Sequence, residues 1–383
     1  MKTLISLPIS LLFFFSSLSL SQAQSLTDDS KCGCYLLKST NDTHFFTEHR
    51  FFDFRSLSQY AGVPPAIRDY QSSASAEMTS NYFTTSTWTD FWMLGSWNNS
   101  GGIRQDATVN MTNSPNNVYI ESLPNSNPPS TFLTLRTQRM QSFQTAAEIE
   151  SASAKFQFLS MRMSARTIGA KGAITAMFTY RDSSTLAKVQ ESDLEIRTSD
   201  PPNLIHYTNQ PSYTDSGDVV PQATKNSTMP SGLNWSDWAV HRLDWTPHYT
   251  VWYVNDIEVA KIDFQTPKDV SNIILNSWSD GGKWTGNMTL WDAAYLQVQW
   301  FEIVYNTTEE KGSKMIRNSK AKKDGGSQGN GNGQCGAVCS VDGTSQLGKP
   351  VMLWNNGAAG KVADAQRGLL VSVFMGLVVF LLI

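Results

Sequence analysis

The sequence predicts a large all-β domain, a sandwich of antiparallel sheets, and three observations lead there. Between residues 24 and 309, short runs rich in β-branched and aromatic residues recur: NVYIESL, TFLTLRTQ, AKFQFLSMRMSAR, AITAMFTYR, YTVWYVND, VAKIDF, NIILNSW and LQVQWFEIVY. Clusters of Gly, Pro, Asn and Asp separate them, as turns separate strands. Helical periodicity is scarce, so a parallel α/β fold lacks the crossover helices it requires. No internal repeat is visible, whereas a propeller would show one of about 40 residues or more.

Taken in order, the chain opens with MKTLISLPISLLFFFSSLSLSQAQ: one lysine, an apolar run diluted by serine, and small residues at Ser21 and Ala23. This is the layout of a secretory signal peptide, residues 1–23, and the run is short for a membrane span. The β-rich domain follows over residues 24–309. After it, EEKGSKMIRNSKAKKDGGSQGNGNGQ has almost no large apolar residue and reads as the start of a flexible linker, residues 310–356. GGSQG at 325–329 fits the G-x-S-x-G pattern of serine hydrolases, but no strand and helix flank it to hold a nucleophile elbow. The chain closes on GLLVSVFMGLVVFLLI, behind the polar spacer AGKVADAQR and the small-residue run Asn355, Asn356, Gly357 and Ala358. Small residues, spacer and apolar tail form a glycolipid (GPI) anchor signal. Attachment is expected at Asn356 and removal over 357–383; the tail is short for a tail-anchored helix.

Sequons at Asn41, Asn98, Asn110, Asn226, Asn234, Asn287 and Asn306 agree with secretion and mark surface. The four cysteines, Cys32, Cys34, Cys335 and Cys339, are expected to be bridged in an oxidising compartment, in any of the three possible pairings. None lies between, so disulfides can pin only the ends of the domain. A net charge of −3 with 16% charged residues and no basic stripe excludes a nucleic-acid partner. Twelve tryptophans and twelve tyrosines supply both core and flat surfaces for stacking on sugar rings.

One stretch carries chemistry. ESDLEIR places Glu191, Asp193 and Glu195 at every second position, so in a strand all three carboxylates share one face. Glu191 and Glu195 are then about 13 Å apart at Cα, and leaning side chains reach the roughly 5–5.5 Å gap of a retaining glycosidase. Asp193 between them raises a neighbour's pKa and shares a proton that orients the nucleophile. The alternative is a solvent-facing strand with Ser192, Leu194 and Ile196 buried beneath it.

ESDLE resembles the E-x-D-x-E pattern of glycoside hydrolase family sixteen, the β-glucanases and glucan or galactan transglycosylases. GAITAMFTY resembles the family's glycine-led strand, HRLDWTPHYTVWYVND its W-T-P stretch, LNSWSDGGKWTGN its asparagine–tryptophan–glycine segment and LQVQWFEIVYN its closing strand. Together these cover about residues 83 to 306. The resemblance implies a concanavalin A-like β-jelly roll with a concave, sugar-binding sheet. It further implies Glu191 as nucleophile, Glu195 as general acid/base and Asp193 as assistant. The departure is Ser192, where the family usually has isoleucine. Asn276 and Trp278 match the family's asparagine–tryptophan pair, Trp284 follows at a cleft position, and Tyr207 and Asn209 are expected where the next strand returns to the cleft. Trp92 and Trp97 are left unassigned, and His206, His241 and His248 read as structural. Family members often hold a calcium ion, but no segment here offers the oxygen ligands for one, and no cofactor or metal is expected.

The function expected is therefore a retaining endo-β-glucanase or glucan transglycosylase acting on cell-wall β-1,3- or β-1,3/1,4-glucan. It is expected to be a monomer, secreted and held at the cell surface by its lipid anchor, an arrangement that resembles fungal wall-remodelling enzymes. A non-catalytic, lectin-like protein on the same fold is the alternative. Three alternating carboxylates in the cleft favour the enzyme.

Overall fold

The computed structural model describes residues 25–71, 76–99, 106–128, 130–308 and 335–355. The expected signal peptide, the GGSQG segment, Asn356 and the anchor signal lie outside these. Nearly all regular structure is β, and among the described residues the only α-helix is Ser86–Thr89.

Two sheets pack face to face. The first runs Thr224–Thr228, Leu204–Gln210, Gln190–Arg197, Ile174–Arg181, Asn272–Trp278, Phe143–Ser151 and Trp92–Leu94, each strand antiparallel to the next. The second, the backing sheet, runs Ile257–Ile262, Thr250–Val254, Ala239–Trp245, Phe156–Gly169 and the long strand Ala293–Thr307. Glu48–Asp53 and Thr131–Arg139 share the far edge of that long strand. Phe143–Ser151 also pairs with Thr131–Arg139 and so joins the two sheets.

The core forms where the two alternating patterns meet. Leu194, Ile196, Ile205, Tyr207, Leu275 and Met177 point from the first sheet onto Leu243, Trp245, Trp252, Met161, Val298 and Phe301 of the second. Fully burying each such side chain contributes roughly 1.5–3 kcal/mol relative to leaving it exposed, which fixes the strand phase: a one-residue slip would turn the apolar set into water. The expected all-β sandwich is thus the observed one.

The segment 335–355 corrects the expected linker. Ala337–Ser340 and Val351–Asn355 are strands of a separate four-stranded sheet with Asp42–Phe46 and Cys34–Ser39. Disulfides Cys32–Cys339 and Cys34–Cys335 choose one of the three pairings and tie the two ends of the domain together. Val341 and Cys339 complete a small core with Tyr35, Leu37, Phe46 and Val304. The apolar residues of this segment, Val338, Val341, Val351 and Met352 among them, and its two cysteines give it a core to join, unlike the lysine- and glycine-rich stretch before it. This sheet covers the outer face of the backing sheet: Arg162 and Arg242 reach out to Asp342, and Tyr249 and Tyr253 meet Ser39. The opposite, concave face is left open.

Candidate active site

The strand Gln190–Arg197 lies in the middle of the concave sheet, flanked by Ile174–Arg181 and Leu204–Gln210. Ser192, Leu194 and Ile196 are buried beneath it, and Glu191, Asp193 and Glu195 face the cleft. Ser192 Oγ donates to Asn209 Oδ1 at 2.6 Å and lies 3.0 Å from Thr250 Oγ1, so the serine belongs to a small polar knot under the sheet. The register sets the cleft floor in rows across the strands. One row is Glu148, Asn276, Ala176, Glu195, His206 and Asn226; another passes Asn272, Tyr180, Glu191 and Gln210.

The three carboxyl groups share this floor. Burial pushes Glu191 up to about 7; a hydrogen bond from Asp193 opposes the shift and the Glu195 charge adds to it. Asp193 is also raised well above its ordinary value, by burial, then by the charges of Glu191 and Glu195, and by its hydrogen bond to Glu191. The proton of this pair therefore resides on Asp193, which donates it to Glu191 and favours the ionised form of that glutamate. The sequence reading had Asp193 raising its neighbour; instead it is the group kept neutral, because it is only 2% exposed. Gln210 Nε2 donates to Asp193 Oδ2 at 3.3 Å. Glu195 Oε1 accepts from Trp284 Nε1 at 3.3 Å.

Trp284 is itself held firmly. Arg197 lies over its ring at 4.4 Å, and the His206 ring meets its edge at 5.1 Å. Asp200 accepts from His206 Nε2 at 2.6 Å, closing the support. Asn276 and Trp278 line the same cleft of about 400 Å³, with Phe178, Trp97, Asn99, Asn113, Glu148 and Asp280. Burial also raises Glu148, against a 2.8 Å hydrogen bond from Trp97 Nε1.

Tyr207 and Asn209 are the correction. Tyr207 is 1% exposed and packs against Trp252; Asn209 is fully buried and donates to the Phe264 carbonyl. Each pairs with an inward residue, Leu194 and Ser192, so both point away from the cleft. Their neighbours His206, Thr208 and Gln210 take the cleft face instead. The signal was present in LIHYTNQ: Ile205 and Tyr207 are in apolar phase, which puts the alternate residues outward. Trp97 and Glu148 had no such signal, because only tertiary pairing brings their strands to the cleft edge. Trp92 is core, at 2% exposure. Among the described residues no group of three His, Cys, Asp or Glu side chains is arranged to hold a metal ion.

A family model for glycosyl hydrolases family 16 matches residues 104–301. The chain belongs to that family. It is accordingly a glycoside hydrolase, and the acid strand Gln190–Arg197 falls within the matched segment. Among solved structures, a Bacillus licheniformis β-glucanase is similar at 18% identity, with 57% of this chain and 94% of that one covered and a TM-score of 0.44. A β-1,3-1,4-glucanase (lichenase) derived from a mouse hindgut metagenome gives 16% identity, coverages of 68% and 99%, and a TM-score of 0.45. The laminarinase catalytic domain from Thermotoga maritima gives 16%, 57%, 93% and 0.44. No curated protein matches the sequence.

Proposed function

We propose that this glycoside hydrolase is a retaining endo-β-glucanase or glucan transglycosylase of the cell surface. The observation that carries the reading is the row of three carboxyl groups, Glu191, Asp193 and Glu195, on the floor of a cleft lined by Trp97 and Trp278, with Trp284 donating to Glu195. Glu191, favoured as the carboxylate by the proton on Asp193, attacks the anomeric carbon. Glu195, positioned by Trp284, gives its proton to the departing glycosidic oxygen. In the second step Glu195 takes a proton from water or from an acceptor sugar hydroxyl, whose oxygen displaces Glu191 and restores the starting configuration.

Buried oxygens of Asn113 and Asn276 find no hydrogen-bond partner among the described residues and line the cleft, which suits them to accept from sugar hydroxyls. A lining of tryptophans and acids, with no lysine or arginine among the described lining residues, suits a neutral β-1,3- or β-1,3/1,4-glucan better than a sulfated galactan. The signal peptide, the sequons, and an anchor attached at Asn356 support a secreted monomer held on the plasma membrane or in the wall.

The test incubates the secreted protein, and its Glu191→Gln and Glu195→Gln variants, with laminari-oligosaccharides and mixed-linkage glucan. Mass spectrometry sizes the products, and proton NMR follows the anomeric configuration. Shorter sugars from the parent alone establish hydrolysis and longer ones transfer, both with retention. Inverted products would refute the two-step mechanism. Binding by all three proteins with no products from any would make this a lectin-like module.

A further inference from the structure

One sequon lies in the same cross-strand row as Glu195. Asn226, in Asn-Ser-Thr, is the middle residue of the strand Thr224–Thr228, at the end of the concave sheet. It pairs directly with His206, and His206 pairs directly with Glu195. Directly opposed residues of antiparallel strands project to the same side. The next residue confirms the phase: Ser227 Oγ donates at 2.7 Å to the carbonyl of Val259 on the backing sheet, so Ser227 points inward and Asn226 outward over the cleft face. Asn226 is exposed. Two interstrand spacings separate it from Glu195, about 10 Å along the row that also carries Asn276 and Glu148.

We infer that Asn226 is an N-glycosylation site whose glycan stands at one end of the cleft and limits how far a polysaccharide can extend past the acid pair. The inference rests on the reading that the cleft takes a glucan chain across the strands. The obstruction falls beyond His206, at the Asn226 end of that row. A branched glycan is bulky and hydrophilic, and its first sugar is fixed to a strand, not to a loose loop. It therefore acts as a fixed wall for long substrates and leaves the chemistry at Glu191 and Glu195 untouched. Asn41 supplies a contrast. It lies in the turn between Cys34–Ser39 and Asp42–Phe46, on the sheet that covers the far side of the molecule.

The experiment compares the secreted glycoprotein with Asn226→Gln, Thr228→Ala and Asn41→Gln variants, and with parent protein trimmed by an endoglycosidase after folding. Peptide mass spectrometry reads occupancy at Asn226. Rates are measured on a long β-glucan and on a short laminari-oligosaccharide. The expected result is an occupied Asn226, and a ratio of long- to short-substrate kcat/KM that rises about tenfold when its glycan is lost, as one relieved contact of 1.4 kcal/mol would give. Trimming should reproduce the rise without changing the sequence, and Asn41→Gln should not. An unoccupied Asn226, or an unchanged ratio in active protein, overturns the inference alone. Inactivity of every form on every glucan overturns the proposed function and this inference with it.

Discussion

The two faces of the molecule treat buried acids in opposite ways. Beneath the covering sheet, His49 donates to Asp29 at 2.8 Å and to Glu302 at 3.0 Å, and Arg162 donates to Glu302 at 2.6 Å and Asp342 at 3.0 Å. Arg242 closes the set with bonds of 2.7 and 2.6 Å to Asp244. Burial alone would raise Glu302, but the hydrogen bond from His49 and the Arg162 charge overcome it and hold the group below its ordinary value. The same partners raise His49 against its own burial. Asp342, served by longer contacts, stays raised by burial despite both arginines. In the cleft, burial raises Glu191 and Asp193 alike; they face each other and Glu195, and a further hydrogen bond to Asp193 comes from the neutral amide of Gln210. One side is neutralised for stability. The other keeps a protonation problem unsolved, as a site for proton transfer requires.

The largest effect should come from breaking the cleft side. Glu191→Gln and Glu195→Gln should each lower kcat by about 10,000-fold, read on a soluble glucan. Glu191→Gln should at the same time stabilise the fold at pH 8 by on the order of 1–3 kcal/mol, because the ionised glutamate it replaces is held at a cost. Urea titration reads this, and a loss of stability would refute the stored repulsion. Arg162→Met tests the other face. It leaves Glu302 and Asp342 short of a cation and should cost about 3–5 kcal/mol in the same titration, with the activity of the folded protein preserved.

Dependence on pH sharpens the contrast further. Glu191, raised to about 7, contributes stability below pH 4.5 that is lost as pH rises through 7. His241 is fully buried with both ring nitrogens unpartnered, and burial lowers it to about 4. Its contribution is present above pH 6.5 and lost as pH falls through 4. The two slopes oppose each other between pH 4.5 and 6.5. His241→Leu should therefore flatten the acid limb of thermal stability, and Glu191→Gln the neutral limb. Trp284→Phe should have the smallest effect: it keeps the ring under Arg197 and removes only the donor to Glu195. A drop in kcat/KM of about tenfold, with melting temperature nearly unchanged, is expected.

Much of this was legible in the chain. The runs NIILNSW and TFLTLRTQ are strands because β-branched and aromatic residues fit a pleated surface, and their alternation needs no partner to be read. The same period of two put Glu191, Asp193 and Glu195 on one face and Ser192 beneath them. Tyr207 and Asn209 were misplaced although Ile205 fixed their phase, since an aromatic and an amide look equally apt for a core or a cleft. What the sequence by itself determined was the local pattern: strands, faces and the acid row, all consequences of side-chain periodicity within a few residues. Only the tertiary structure decided the rest. It brought Trp97 and Glu148 to the cleft edge, paired Cys32 with Cys339, folded 335–355 onto the domain and aligned Asn226 with Glu195. Those contacts join residues far apart in the chain, and register between distant strands is set by core packing, which no local pattern encodes.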